Sequence, residues 1–248
     1  MDGSFRLNDK TVLVTGASSG IGKKIAVRAS QAGAKMIITA RNNERLEYTK
    51  DQLEEGKDHQ LILADLKKSE EIISLAEDAP KLNGLVLNAG LVKRMPIKYI
   101  DQDSIEEQFQ VNVQSSMLLV QQLLRKRKLV NGSSICFISS ISSKKNLVGN
   151  AIYAATKSAV NSFVQSLALE VAKKKIRANA ILPGFIQTNI LEDSDVGESQ
   201  LAQHKKNYPL GRFGTPDDVA NLSLYLLSDL SEWMTGSLLK IDGGFSLK

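Results

Sequence analysis

The chain has 248 residues, 42% hydrophobic and 24% charged, enough for a large buried core and for one or two domains. Its 32 basic against 27 acidic side chains leave a net charge of +5, too small an excess to imply a nucleic-acid partner. The single cysteine rules out a disulfide within the chain and fits a reducing compartment.

The opening Met1-Asp-Gly-Ser-Phe-Arg6 has no apolar signal core, and no run approaches the ~18 apolar residues of a spanning helix. A soluble, cytoplasmic protein with no membrane partner is expected. With two histidines and no CxxC or HExxH pattern, no metal site is expected.

Short β-branched runs alternate with longer amphipathic ones. Thr11 to Thr15 reads as a buried strand, and Ile21 to Ala32 as a helix closed by Gly33. Lys35 to Ala40 reads as a second strand, and Asn43 to Glu54 as a charged surface helix. Further strands are expected at Gln60 to Ala64, Gly84 to Asn88, Ser134 to Ile138, Arg177 to Leu182 and Ser237 to Ile241. Ser104 to Lys128 and Tyr153 to Lys174 read as long helices between them. Cys136 lies in an apolar run and reads as a small core residue. The basic run Arg125 to Lys128 ends its helix, where cations pair with the helix dipole. Thr215 can cap the last long helix, with Pro216 in the first turn and Asp218 at the capping-box position. Continuous apolar strands separated by helices indicate a parallel sheet covered on both faces. No linker divides the chain. The fold class expected is α/β: one doubly wound, Rossmann-like domain with seven parallel strands.

The first strand runs into Thr15-Gly-Ala-Ser-Ser-Gly-Ile-Gly22. Glycines there allow a sharp turn and let backbone amides approach a pyrophosphate at a helix N-terminus. The second strand ends Thr39-Ala-Arg-Asn42, without the carboxylate that would bind a ribose 2′-hydroxyl. Arg41 is either a surface arginine or a planar fork for a 2′-phosphate. The cofactor read from this is NADP(H), with Ser18 as a second phosphate contact. Asn112 falls inside a predicted helix, where asparagine is mildly unfavourable. Ser140 ends the fifth strand, thirteen residues before Tyr153. Lys157 follows Tyr153 by four residues, on the same helical face, where its charge would favour the phenolate.

In order and spacing these segments resemble the short-chain dehydrogenase/reductase family over essentially the whole chain. The shared segments are TGxxxGIG from Thr15 to Gly22, Asn88-Ala-Gly90, Asn112, Ser140, Tyr153 with Lys157, Pro183-Gly-x-x-x-Thr188 and Asp242-Gly-Gly244. The resemblance implies that Tyr153 protonates a carbonyl, or deprotonates an alcohol in reverse. Lys157 would lower the tyrosine's pKa and hold the nicotinamide ribose. Ser140 would orient the carbonyl oxygen, and Asn112 would kink its helix and hold a relay water. Cofactor contacts are implied for Gly16, Ser18, Ser19, Gly20, Ile21 and Gly22 in the first turn, and for Arg41. They are also implied for Asp65 and Leu66 near the adenine, and for Asn88, Ala89 and Gly90 along the cleft. Pro183, Gly184, Ile186 and Thr188 complete the set, the last at the carboxamide. Asp65 reads equally well as a helix-cap residue.

The layout is most similar to bacterial 3-oxoacyl-[acyl-carrier-protein] reductases, so a 3-oxoacyl thioester on an acidic carrier protein is the substrate implied. In that subgroup the docking cations would be Arg125, Arg127 and Lys174. Sugar, steroid and small-alcohol enzymes share the same segments, and Lys144-Lys-Asn146 leaves room for a different anionic substrate. A non-catalytic NADP(H)-sensing protein is the rival class; such relatives usually lose the Tyr/Lys pair that this chain keeps. A nucleic-acid module has only the charge behind it, since aromatics are 5% of residues. The cofactor half is expected at about residues 1–140 and the catalytic half at about 140–248, with a lid from Ile190 to Tyr208. A homotetramer is implied through the two long helices. Val160, Phe163, Val164 and Leu167 suit that contact or the core equally.

Overall fold

A computed structural model describes residues 5–188 and 203–247. The strands are β1 (Thr11–Thr15), β2 (Lys35–Ala40), β3 (Gln60–Leu63), β4 (Leu82–Leu87), β5 (Leu129–Ile138), β6 (Arg177–Pro183) and β7 (Leu238–Ile241). All pair in parallel, in the order β3-β2-β1-β4-β5-β6-β7. The helices are α1 (Gly20–Gln31), α2 (Asn43–Lys50), α3 (Ser69–Asp78), α4 (Gln102–Phe109), α5 (Ser115–Arg125), α6 (Ala151–Val171) and α7 (Pro216–Leu227).

Strand side chains alternate between two faces, and each face has its own core. Val12, Val14, Met36, Ile38, Val86, Cys136 and Ile181 pack with Ile25 and Ala29 of α1 and with Val219 and Leu227 of α7. Leu13, Ile37, Leu85, Ile135 and Phe137 pack on the other face with Leu75 of α3, Leu119 and Leu123 of α5, and Val160, Val164 and Leu167 of α6. Those three α6 residues therefore belong to the core. Phe163 follows them, its ring edge-on to Phe137 at 5.9 Å. The order of strands reverses between β1 and β4, and in such sheets the crevice for a ligand opens at the carboxyl ends there.

Several boundaries differ from those expected of the sequence. Ser104 to Lys128 is not one α-helix: α4 and α5 are joined by a π-helical stretch, Gln110–Gln114, with Asn112 at its centre. The wider turn accommodates an extra residue, a deviation that recurs at functional sites. Strand β5 starts at Leu129, five residues early, and its pairing with β4 shifts register between Leu82 and Gly84. Exposed Asn131 and Gly132, the latter at φ 82°, hide that start from a search for apolar runs. Helix α2 stops at Lys50, short of Glu54.

Helix α7 opens with the expected capping box. Asp218 accepts from the Thr215 amide at 2.7 Å and takes two bonds from Arg212, at 2.6 and 2.9 Å. Arg212 and Thr215 hold its carboxyl well below the usual range. The basic run serves α3 as well as its own helix. Lys128 donates to the carbonyls of Glu77 and Ala79, and Lys126 to the Glu77 carboxylate.

Most of the expected lid, residues 190–202, lies outside the described residues. Its last part packs down: His204 and Tyr208 lie among Phe185, Phe213 and Phe245. Among the described residues no helix is long and apolar enough to cross a membrane.

Candidate active site

The glycine turn leaves β1 at Gly16, whose φ of +63° is a left-handed conformation that suits glycine. A Cβ on Gly22 would stand 2.3 Å from the Gly16 carbonyl, so α1 packs against the turn only because no side chain is there. Thr15 staples the turn to the end of β4. Its hydroxyl accepts from the amides of Asn88 and Ala89 at 3.0 and 3.1 Å. The Asn88 side chain donates back to the carbonyls of Thr15 and Gly16. Asn88 therefore shapes the turn from beneath. Ser19 is the N-cap of α1, but its side chain caps nothing. The first amides of the helix, at Gly20, Ile21 and Gly22, thus have no side-chain partner among the described residues and form a site for a phosphate oxygen. This chemistry fits the pyrophosphate of a nicotinamide dinucleotide.

At the end of β2, Ala40 is buried and Arg41 is exposed, with no ion pair among the described residues. The neighbouring Asn42 is occupied in capping α2 through the Arg45 amide at 2.8 Å. Nothing acidic stands where a ribose 2′-hydroxyl would be read. Asp65 does not cap α3, whose N-cap is Lys68; it accepts instead from the Lys67 amide in its own turn, and Leu66 beside it is buried. Pro183 ends β6, and Gly184 is pinned to Ile241 by an amide bond of 2.9 Å. Ile186 forms a bridge to Gly214. Thr188 comes close to the first turn: a Cβ on Gly20 would lie 3.3 Å from its methyl group. Ser18 is half-buried in that same turn.

Tyr153 stands in the first turn of α6, and Lys157 one turn on. The Lys157 ammonium is buried, donates to the Ile138 carbonyl at 2.8 Å, and lies 5.7 Å from the centre of the Tyr153 ring. Ser140 accepts from the Ser142 amide at 3.1 Å, and its hydroxyl lies beside the phenol. Ser139 instead bonds the Lys157 carbonyl, while Ser143 bonds the Ser140 carbonyl. Asn112 accepts from the Leu91 amide at 2.8 Å and donates to the Leu91 carbonyl and to Thr156. Both of its side-chain N–H donors are thus used within the protein. Gly90 leaves room above this pair: a Cβ there would lie 3.2 Å from Asn112 and 3.6 Å from the Lys157 nitrogen.

Burial sets the protonation states. It raises the Tyr153 phenol above its ordinary value, against the opposing hydrogen bond of Ser140 and the charge of Arg94. Burial also lowers Lys157, to about 8. At neutral pH the site therefore holds a protonated phenol beside a charged ammonium, the state that donates a proton to a carbonyl oxygen.

Four further residues belong to the site without a clear signal in the sequence. Thr15 opens the glycine motif, where the glycines carry the visible pattern. Gln108 precedes Asn112 by one helical turn and, like it, clasps the next segment, bonding the amide and the carbonyl of Lys93. Thr156 links Asn112 to the Tyr153 carbonyl, at 3.1 and 2.7 Å. Arg94 has no sequence signal. The expected docking cations lie elsewhere: Arg125 and Arg127 precede β5 and Lys174 precedes β6, at the edge where strands begin. Ser140 and Tyr153 lie at the other edge, and ten residues of strand span roughly 30 Å.

A family model described as enoyl-(acyl carrier protein) reductase matches residues 16–246. The chain is 34% identical to the L-xylulose reductase of Caenorhabditis elegans over 250 residues, 99% of each chain. It is 33% identical to the 3-oxoacyl-[acyl-carrier-protein] reductase of Aquifex aeolicus, over 97% of this chain and 98% of that one. A solved structure from Agrobacterium tumefaciens with bound NADP, described as a 2-deoxy-D-gluconate 3-dehydrogenase, superposes with a TM-score of 0.87 at 27% identity, covering 100% of both.

Proposed function

The chain belongs to the short-chain dehydrogenase/reductase family, and from that premise we propose that it reduces a ketone to a secondary alcohol with NADPH. The bound cofactor would supply the hydride. Tyr153 would give its proton to the carbonyl oxygen, and Ser140 would hold that oxygen by a hydrogen bond. Lys157 would keep a positive charge under the phenolate left behind, and would bind a ribose hydroxyl with its remaining donors. The observation that carries this reading is the buried Lys157 ammonium, fixed by the Ile138 carbonyl one turn from Tyr153. An ammonium buried with no carboxylate beside it among the described residues is costly, and a proton-transfer site is where such a cost has a use.

For the cofactor, Arg41 and the missing acid at the end of β2 support NADP(H). For the substrate, the relatives support two readings at nearly equal identity: a 3-oxoacyl thioester on acyl carrier protein, and a sugar-like ketone. We put the thioester first, because the layout of the whole chain is most similar to that subgroup and the matching family model is described as an acyl-carrier-protein reductase. If a carrier protein docks on Arg125, Arg127 and Lys174, their distance from Tyr153 requires it to serve the site of a second copy of the chain. That requirement agrees with a homotetramer.

The test is NADPH oxidation on a panel of 3-oxoacyl thioesters, keto sugars and small ketones, with Tyr153→Phe as the comparison. Loss of the general acid should lower kcat by about 10²–10⁴-fold. A Tyr153→Phe protein as active as the parent would refute the mechanism. Turnover of keto sugars but of no thioester would move the substrate to the second reading.

A further inference from the structure

The segment that follows Asn88-Ala-Gly90 crosses the mouth of the site and is pinned at every second residue. Leu91 is held on both its amide and its carbonyl by Asn112, and Lys93 on both by Gln108. The Met95 amide donates to the Gly149 carbonyl at 2.9 Å, four residues before Tyr153. A run clasped three times over five residues has a fixed path, so the side chain it carries at Arg94 is presented from a rigid base.

The two basic residues on this run are used differently. Lys93 pairs with Glu107, which also pairs with Lys67. Arg94 is exposed, and among the described residues it has no ion pair. Its charge is nonetheless felt at the Tyr153 phenol, where it favours the phenolate. A guanidinium with no carboxylate partner among the described residues, on a rigid base and with its charge acting on the proton donor, is suited to a planar oxyanion, which it binds through two parallel N–H donors.

We propose that Arg94 is a specificity residue that binds an anionic group on the substrate, so the ketone reduced here carries a carboxylate or a phosphate close to its carbonyl. The inference rests on the ketone-reductase reading and, within it, favours a small anionic ketone over the carrier-bound thioester. A neutral ketone makes no use of Arg94, whereas a charged one places its anion on the guanidinium and its carbonyl on Tyr153 and Ser140.

Two matched pairs test this: acetoacetate against methyl acetoacetate, and dihydroxyacetone phosphate against dihydroxyacetone. In the parent enzyme kcat/KM should favour the charged member of at least one pair by about 10–100-fold, as expected for a charge-assisted hydrogen bond. The pair that shows the preference identifies carboxylate or phosphate. Arg94→Ala should collapse that ratio to about one, chiefly through KM, and Arg94→Lys should restore part of it. A parent enzyme that does not distinguish the members of either pair, or an Arg94→Ala protein that keeps the parent's ratio, overturns the proposal. Tyr153→Phe should abolish turnover of every member alike, so failure of the site reading is seen separately. If no member is turned over, calorimetric binding to the NADP-loaded protein decides the matter: tighter binding of a charged member supports the assignment, and equal affinity within both pairs sinks it.

Discussion

Lys157→Met removes the buried ammonium and keeps most of its apolar stem. The fall of Lys157 from an ordinary 10.5 to about 8 means that the folded state disfavours its charge by about 3 kcal/mol at neutral pH. Against this gain, methionine leaves the Ile138 carbonyl without its donor, a loss of about 1–3 kcal/mol. At pH 7 the variant should therefore be about 1 kcal/mol more stable than the parent, which for this length corresponds to about 2–4 °C in Tm. The sign changes with pH. Between pH 8 and 10.5 the unfolded parent binds more protons than the folded one, so the parent gains stability as pH rises through that window. The variant lacks the group and does not. By about pH 10 the missing hydrogen bond should leave the variant the less stable of the two. Urea unfolding of both proteins at neutral pH and at two steps up to the ordinary lysine range, followed by far-UV circular dichroism, measures the difference. A gap independent of pH, or one that widens in favour of the variant as pH rises, would show that Lys157 is not a buried charge in the free protein. Activity should be lost at every pH.

Other perturbations test the cofactor side and the backbone. Arg41→Ala should raise KM for NADPH by about 10–100-fold, the worth of a charge-assisted phosphate contact, and leave KM for NADH nearly unchanged; an equal rise for both would remove Arg41 from phosphate recognition. Gly22→Ala drives a methyl group to 2.3 Å from the Gly16 carbonyl, so fluorescence titration should show NADPH binding weakened at least tenfold. Unchanged binding would mean that the turn adapts freely. Lys175 closes the 3-10 turn Ala172–Lys174 that follows α6, at φ 58°, where a side chain is strained. Lys175→Gly should stabilise by about 0.5–1 kcal/mol, or roughly 2 °C by scanning calorimetry, while leaving kcat unaltered.

The sheet was legible because each strand is an apolar run bounded by turn residues, and seven such runs alternating with helices admit few other folds. The site was legible where a residue is bound to a backbone event: Gly16 and Gly22 at a turn, Lys157 one helical turn from Tyr153. The π stretch was not, because a single inserted residue leaves the apolar periodicity of Met117 to Leu124 intact and marks itself only by Asn112. The early start of β5 was hidden because Asn131 and Gly132 interrupt the apolar run. Arg94 had no pattern at all, since its position depends on bonds from Asn112, Gln108 and Gly149, three residues from two distant parts of the chain. The same distance hides the structural task of Asn88, which a motif shows only as part of the cleft: its bonds reach back more than seventy residues, to Thr15 and Gly16.

That reach sets an order of events during folding. The turn after β1 contains few groups able to hold it, and the staple that shapes it arrives only with β4. A ribosome that has released the first seventy residues has released every glycine of the dinucleotide motif and no dinucleotide site. The site comes into being when Asn88 closes on Thr15, so a nascent chain interrupted before that residue should fail to bind cofactor however well its first strand and helix have formed.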